Sequence, residues 1–227
     1  MAKTPTPPAG EAHDYSSPPC FMHEIDPAYS GLSIDPQQWK DVARWRKAER
    51  ERMIAARLAM SAEVRRRFTE EIARRLDALL GEIHGRTVSL YWPFRGEPDL
   101  RDWMETVWRR GGVCALPVVE RKAAPLTFRS WRSGEPLEKG VWNIPFPANG
   151  RAVRPDVVIA PVVGFDRGCY RLGYGGGFFD RTLASLSPKP IAIGVGYGAQ
   201  ETPSIYPQNH DVPMRAILTE NETISAS

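Results

Sequence analysis

The sequence predicts an α/β protein, a mostly parallel sheet covered by helices on both faces. Short apolar runs (Thr87–Tyr91, Val113–Val119, Asp156–Val163, Ile191–Val195 and Ala216–Thr219) alternate with stretches of helical periodicity. The run Asp156–Val163 is almost continuously apolar, as a strand buried on both faces must be. A glycine-rich segment, Arg171–Arg181, precedes a helical stretch, and ligands in such sheets collect at the carboxyl ends of strands.

Element by element, residues 1–34 carry Pro5, Pro7, Pro8, Pro18, Pro19 and Pro27 with few large apolar groups. They read as a flexible proline-rich arm ahead of one domain, residues 35–227. The first helix starts at Asp35-Pro36, where Asp35 caps and proline fits the first helical position, and runs to about Met60. Ser61 caps a second helix, whose apolar face is Val64, Phe68, Ile72, Leu76 and Leu79. Leu100, Trp103 and Val107 mark a third, closed by Gly111-Gly112. Leu126–Trp131 alternates like a half-buried strand, and Phe178–Leu186, without Gly or Pro, reads as the last helix.

The 227 residues are 42% hydrophobic, enough for one sizeable core. Cys20, Cys114 and Cys169 show no metal spacing and are odd in number; with no signal peptide they point to a reducing cytoplasm. The absence of a long apolar stretch excludes a membrane-spanning helix. The net charge of +3 is uneven: Lys40–Arg75 holds 12 Lys/Arg against 6 Asp/Glu, which suits nucleic acid, a phosphate ligand or a solvated face.

The glycine loop narrows these options. Its glycines let a ligand approach bare amides at a helix N-terminus, and Arg171 and Arg181 add charge for phosphate or carboxylate. No Lys-Ser/Thr follows, so it is not a Walker loop. Phe178 stands where a dinucleotide fingerprint needs glycine, and the nearest strand stops several residues early. Upstream, Tyr91–Asp99 leaves a strand with Trp92 and Phe94 able to stack on a flat ring, and Glu97 able to accept bonds from ring nitrogens. Core packing and helix-start electrostatics are the alternatives there. Val141–Pro147 is a proline-stiffened aromatic loop. Asp180 and Asp211 are candidates for Mg²⁺, which two carboxylates and phosphate oxygens commonly hold, or else surface acids. No activated cysteine and no Ser-His-Asp spacing stands out.

In this order the segments resemble the 5-formyltetrahydrofolate cyclo-ligase family, also called methenyltetrahydrofolate synthetase, over roughly Arg44 to Thr219. Pro161–Asp166 followed by Arg171–Arg181 looks like the family's signature, and Trp142-Asn-Ile-Pro145 is a second match. Tyr91–Glu97, Gln200 and His210-Asp211 are weaker matches in the expected sequence. The resemblance implies a three-layer α/β/α fold (NagB/RpiA/CoA transferase-like). It also implies conversion of 5-formyltetrahydrofolate to 5,10-methenyltetrahydrofolate, dependent on ATP and Mg²⁺, with ADP and phosphate released.

By position, the resemblance gives ATP to Arg171, Leu172, Gly173, Tyr174, Gly175, Gly176, Gly177, Phe178 and Phe179. Arg46 or Lys47, with Arg50, would reach phosphate from the first helix. Tyr174–Phe178 and Arg50 would also touch the folate, with Arg171 and Tyr174 nearest the chemistry. Trp92, Glu97 and Trp142 would line the pterin site, and Asp180 and Asp211 would hold Mg²⁺. The chain departs from the family where Arg46 takes the usual lysine position and Gly176 a lysine of some members. Two rivals are a paralogue with another substrate and an RNA-binding module built on the basic helices. Interleaved acids argue against RNA, so the expectation is a cytoplasmic monomer binding folate and ATP, with neither nucleic acid nor membrane as partner.

Overall fold

The structure, a computed structural model, describes residues 36–226. The proline-rich arm, Cys20 and the Asp35 cap lie outside the described residues. Helices α1 (Pro36–Ala59) and α2 (Ala62–Leu80) meet at Ser61. The Ser61 hydroxyl accepts the Val64 amide at 3.2 Å and caps α2 as expected. The buried stripe of α2 is Ile72, Leu76 and Leu80, whereas Leu79, expected on it, is 38% exposed. A step of four residues from Leu76 stays nearer the stripe than a step of three.

β1 (Thr87–Ser89), α3 (Arg101–Arg109), β2 (Val113–Val118) and β3 (Thr127–Ser130) follow. A ribbon of β4 (Leu137–Lys139) and β5 (Pro145–Pro147) comes next, then β6 (Val157–Pro161). A second ribbon, β7 (Gly164–Phe165) with β8 (Arg171–Leu172), leads to α4 (Phe178–Ser185). β9 (Ile191–Val195), β10 (Ala216–Leu218) and β11 (Thr223–Ser225) close the chain.

Seven strands form the main sheet in the order β11-β10-β9-β6-β1-β2-β3. Its five inner strands are parallel, and β3 and β11 are antiparallel edges. Strand alternation builds two cores. Val157 and Ile159 of β6 join Ile72, Leu76, Trp103 and Val107 of α2 and α3. Val158 and Ala160 point the other way, to the cluster holding Leu183 of α4. The α/β/α layering follows from that division.

Three sequence expectations change. The run Asp156–Val163 is not one strand. The Val162 amide still bonds Val195 O, at 2.9 Å, but the Val163 amide turns to Leu172 O at 2.8 Å, starting the β7–β8 ribbon. The segment Val141–Pro147 is only half loop. Pro145–Pro147 pairs with β4, in a two-stranded ribbon whose free edge tolerates proline. Last, the strand β11 is absent from the sequence expectation because only Ile224 of its three residues is buried.

Candidate active site

The elements converge on a cavity bordered by α1, Tyr91–Glu97, the turn at Trp142, the glycine loop through Asp180, and His210-Asp211. The structure thus brings together the site residues expected from sequence except Lys47, which is exposed, and Arg181; neither borders the cavity.

α1 presents an unusual inner face. Arg46, Arg50, Met53 and Arg57 recur at steps of four and three and so share one side. Arg46 (8% exposed) is buried with Asp211, and the two guanidinium–carboxylate contacts measure 2.5 and 3.3 Å. Arg46 also donates to Ile205 O and Tyr206 O. Arg50 donates to Gly173 O at 2.8 Å, tying α1 to the glycine loop. The basic excess of this segment is therefore partly interior.

In the glycine loop, Gly175 (φ +93°) and Gly177 (φ +57°, capping α4) occupy backbone regions that side chains avoid. A Cβ on Gly175 would sit 3.5 Å from the Arg50 guanidinium, an ordinary contact, so φ rather than crowding within the protein demands glycine there. Arg171 pairs with Asp180 at 2.9 Å, and Arg181 donates to Gly176 O. Both arginines, expected from sequence as charges for an anion, already have partners in the chain. The Arg171 Nε is buried without one.

Glu97 is the most distinctive group. It is 5% exposed; its Oε2 accepts the Phe94 amide at 2.8 Å, and its Oε1 is buried with no partner. Burial pushes its carboxyl up to about 7, against the pull of Arg57, the Phe94 amide and the Tyr174 hydroxyl. Burial first, and Glu97 second, push the Tyr174 phenol above its ordinary range. The aromatic walls are Trp92, edge-on to Trp131 at 5.7 Å, Phe94 against Tyr174 at 5.7 Å, and Trp142 edge-on to Phe178 at 6.3 Å. Trp142 and Asn143 both adopt φ of +57°, which holds the half-exposed indole at the cavity rim.

Asp180 and Asp211 border the cavity but are engaged. Asp180 accepts Arg171 and the Val212 amide, Asp211 accepts Arg46 and the Gln208 amide, and among the described residues no three His, Cys, Asp or Glu cluster for a metal. The buried Cys114 and Cys169 lie away from the cavity, and burial pushes the Cys114 thiol up to about 12. Gln200, a weaker sequence match, bonds Val163 O and the Tyr197 amide and does not border the cavity. Sequence reading missed Arg57, 1% exposed behind the cavity wall; its signal was the spacing from Arg46 and Arg50.

A glycine loop at a helix N-terminus, facing a buried acid and aromatic walls at the carboxyl edge of a parallel sheet, defines an α/β enzyme acting on a small ring-bearing ligand. Comparison with known proteins gives the family: the sequence pattern of the 5-formyltetrahydrofolate cyclo-ligase family matches residues 42–220. The chain belongs to that family. It is 30% identical over 173 residues to the 5-formyltetrahydrofolate cyclo-ligase of Escherichia coli K12, covering 73% of this chain and 95% of that one. The Mycolicibacterium smegmatis enzyme of the same name is 34% identical over 156 residues, or 64% of this chain and 79% of the relative. The solved 5,10-methenyltetrahydrofolate synthetase of Aquifex aeolicus superposes with a TM-score of 0.70 at 28% identity, covering 79% and 92% of the two chains. No described helix is long and apolar enough to cross a membrane.

Proposed function

We propose that this chain converts 5-formyltetrahydrofolate to 5,10-methenyltetrahydrofolate with cleavage of ATP to ADP and phosphate, the formyl oxygen leaving on the phosphate. The observation that carries the reading is the orphaned Glu97 Oε1, buried in the wall of the cavity that the glycine loop also borders. A buried acceptor without a partner is costly, and the N–H groups of a pterin edge would satisfy it. Trp92 and Trp142 would flank the ring, with Tyr174 beside Glu97. Arg46, Arg50 and the loop amides from Arg171 to Phe179 would hold the triphosphate, and Lys47 would stay in solvent.

Asp180 and Asp211 fit a magnesium ion arriving with the phosphates. A magnesium site commonly uses one or two carboxylates plus phosphate oxygens, and Asp180 and the Oδ1 of Asp211 retain acceptor capacity. When bound, ATP and Mg²⁺ would supply a phosphoryl group for the formyl oxygen and positive charge to offset its negative one. The chain's own part is placement. Glu97 and the tryptophans fix the pterin, the glycine loop and arginines fix the phosphates, and nitrogen 10 is left facing the formyl carbon so that ring closure expels phosphate. No protein nucleophile enters the scheme.

The odd cysteine count and two buried free thiols support a cytoplasmic enzyme. Appearance of the methenyl chromophore tests the reaction. It should require ATP and Mg²⁺ together; undiminished turnover in excess chelator would remove the metal, and binding of both ligands without turnover would favour another substrate.

A further inference from the structure

Arg57 lies entirely inside the protein, 1% exposed, and outside the cavity. Its Nε donates to Arg95 O at 2.9 Å, its Nη1 to Val162 O at 3.3 Å, and its Nη2 to the Tyr174 hydroxyl at 2.6 Å. These acceptors belong to the Trp92–Glu97 segment, the end of β6 and the glycine loop. None is a carboxylate. A buried guanidinium without a bonded carboxylate is expensive, and apolar packing would serve stability as well.

We infer that Arg57 is a positioning residue for the cyclisation, setting Tyr174 and Glu97 against the folate from behind the cavity wall. The inference rests on the proposed contact of Glu97 and Tyr174 with the pterin. A fork with three divergent donors can hold three segments at fixed spacing, which a lysine ammonium cannot reproduce. The Tyr174 hydroxyl, accepting the Arg57 N–H, keeps its own proton for Phe94 O, at 3.3 Å, or for the ligand. The positive charge also favours the ionised form of Glu97, the form that accepts N–H bonds through both oxygens. Tyr174 on the glycine loop and the Phe94 amide are the other groups acting on Glu97, and Tyr91, two residues past β1, in turn feels the Glu97 charge. Burial raises both phenols, so neither competes as an anion.

The test compares Arg57→Lys, Arg57→Met, Tyr174→Phe and Glu97→Gln in the full chain, with circular dichroism to establish folding. Folate binding is read by tryptophan fluorescence across pH, and kcat/KM by the methenyl chromophore. In the parent, folate affinity should fall as pH drops through about 7, where Glu97 takes up a proton. Arg57→Met should move that midpoint up by about one pH unit. Arg57→Lys should lower kcat/KM about 10²-fold by misplacing the site, with no further loss when Tyr174→Phe is added. Folded Arg57 variants with the midpoint and kcat/KM unchanged would overturn the inference. If neither Arg57 variant folds, Tyr174→Phe alone decides, since it removes the same bond from the other end: unchanged kcat/KM there overturns the role. Glu97→Gln with unchanged folate affinity would instead sink the site assignment, a separate failure.

Discussion

Glu97 ties stability to function through one proton. Its carboxyl is raised from the ordinary range to about 7, so between about pH 4.5 and 7 the folded state holds a proton that the unfolded state has released. Stability contributed by the protonated group is therefore complete below that window and lost as pH rises through about 7. Glu97→Gln removes the buried charge while keeping an oxygen for the Phe94 amide. It should raise stability at pH 8 by up to about 3 kcal/mol, leave it unchanged near pH 4, and weaken folate binding. Thermal unfolding at the two pH values, beside a fluorescence titration, checks both halves. Equal melting shifts at both pH values would detach Glu97 from the effect.

At the scale of elements, α1 and the glycine loop form one unit through Arg50 and Gly173. Gly175→Val forces a side chain into φ of +93°, a local strain of about 1–2 kcal/mol, and puts that side chain where phosphate would approach. Calorimetry should find ATP binding lost in a protein that still unfolds cooperatively; normal ATP affinity would return the loop to a packing role. Arg46→Met leaves Asp211 buried beside one amide and should cost about 3 kcal/mol in chemical denaturation. A loss near zero would mean that Asp211 finds water in the cavity. These contacts also show where sequence stops being legible. The Ser61 cap and the inner strands are local chemistry and stand in the residues themselves. Helical spacing puts Arg46 and Arg57 on one face, but that this face turns inward is set by acceptors more than a hundred positions away, at Ile205 and Val162.

Across the whole molecule, the sheet decides what each strand can offer. Alternation along β6 feeds two cores and leaves only the carboxyl edge for a cavity, where Trp92–Glu97 and the glycine loop meet. That meeting was legible as two separate motifs, because aromatic and glycine residues declare themselves by type. Their partners were less so: Arg171, Asp180 and Asp211 read as free charges in sequence, but folding engages each of them with others. The central claim is that this edge holds folate and ATP so that the formyl oxygen receives the terminal phosphoryl group. The most direct measurement follows heavy oxygen placed in the formyl group of 5-formyltetrahydrofolate during turnover with ATP. The label is expected in the released phosphate, one atom for each methenyl group formed; label appearing in water, with unlabelled phosphate, would contradict the claim.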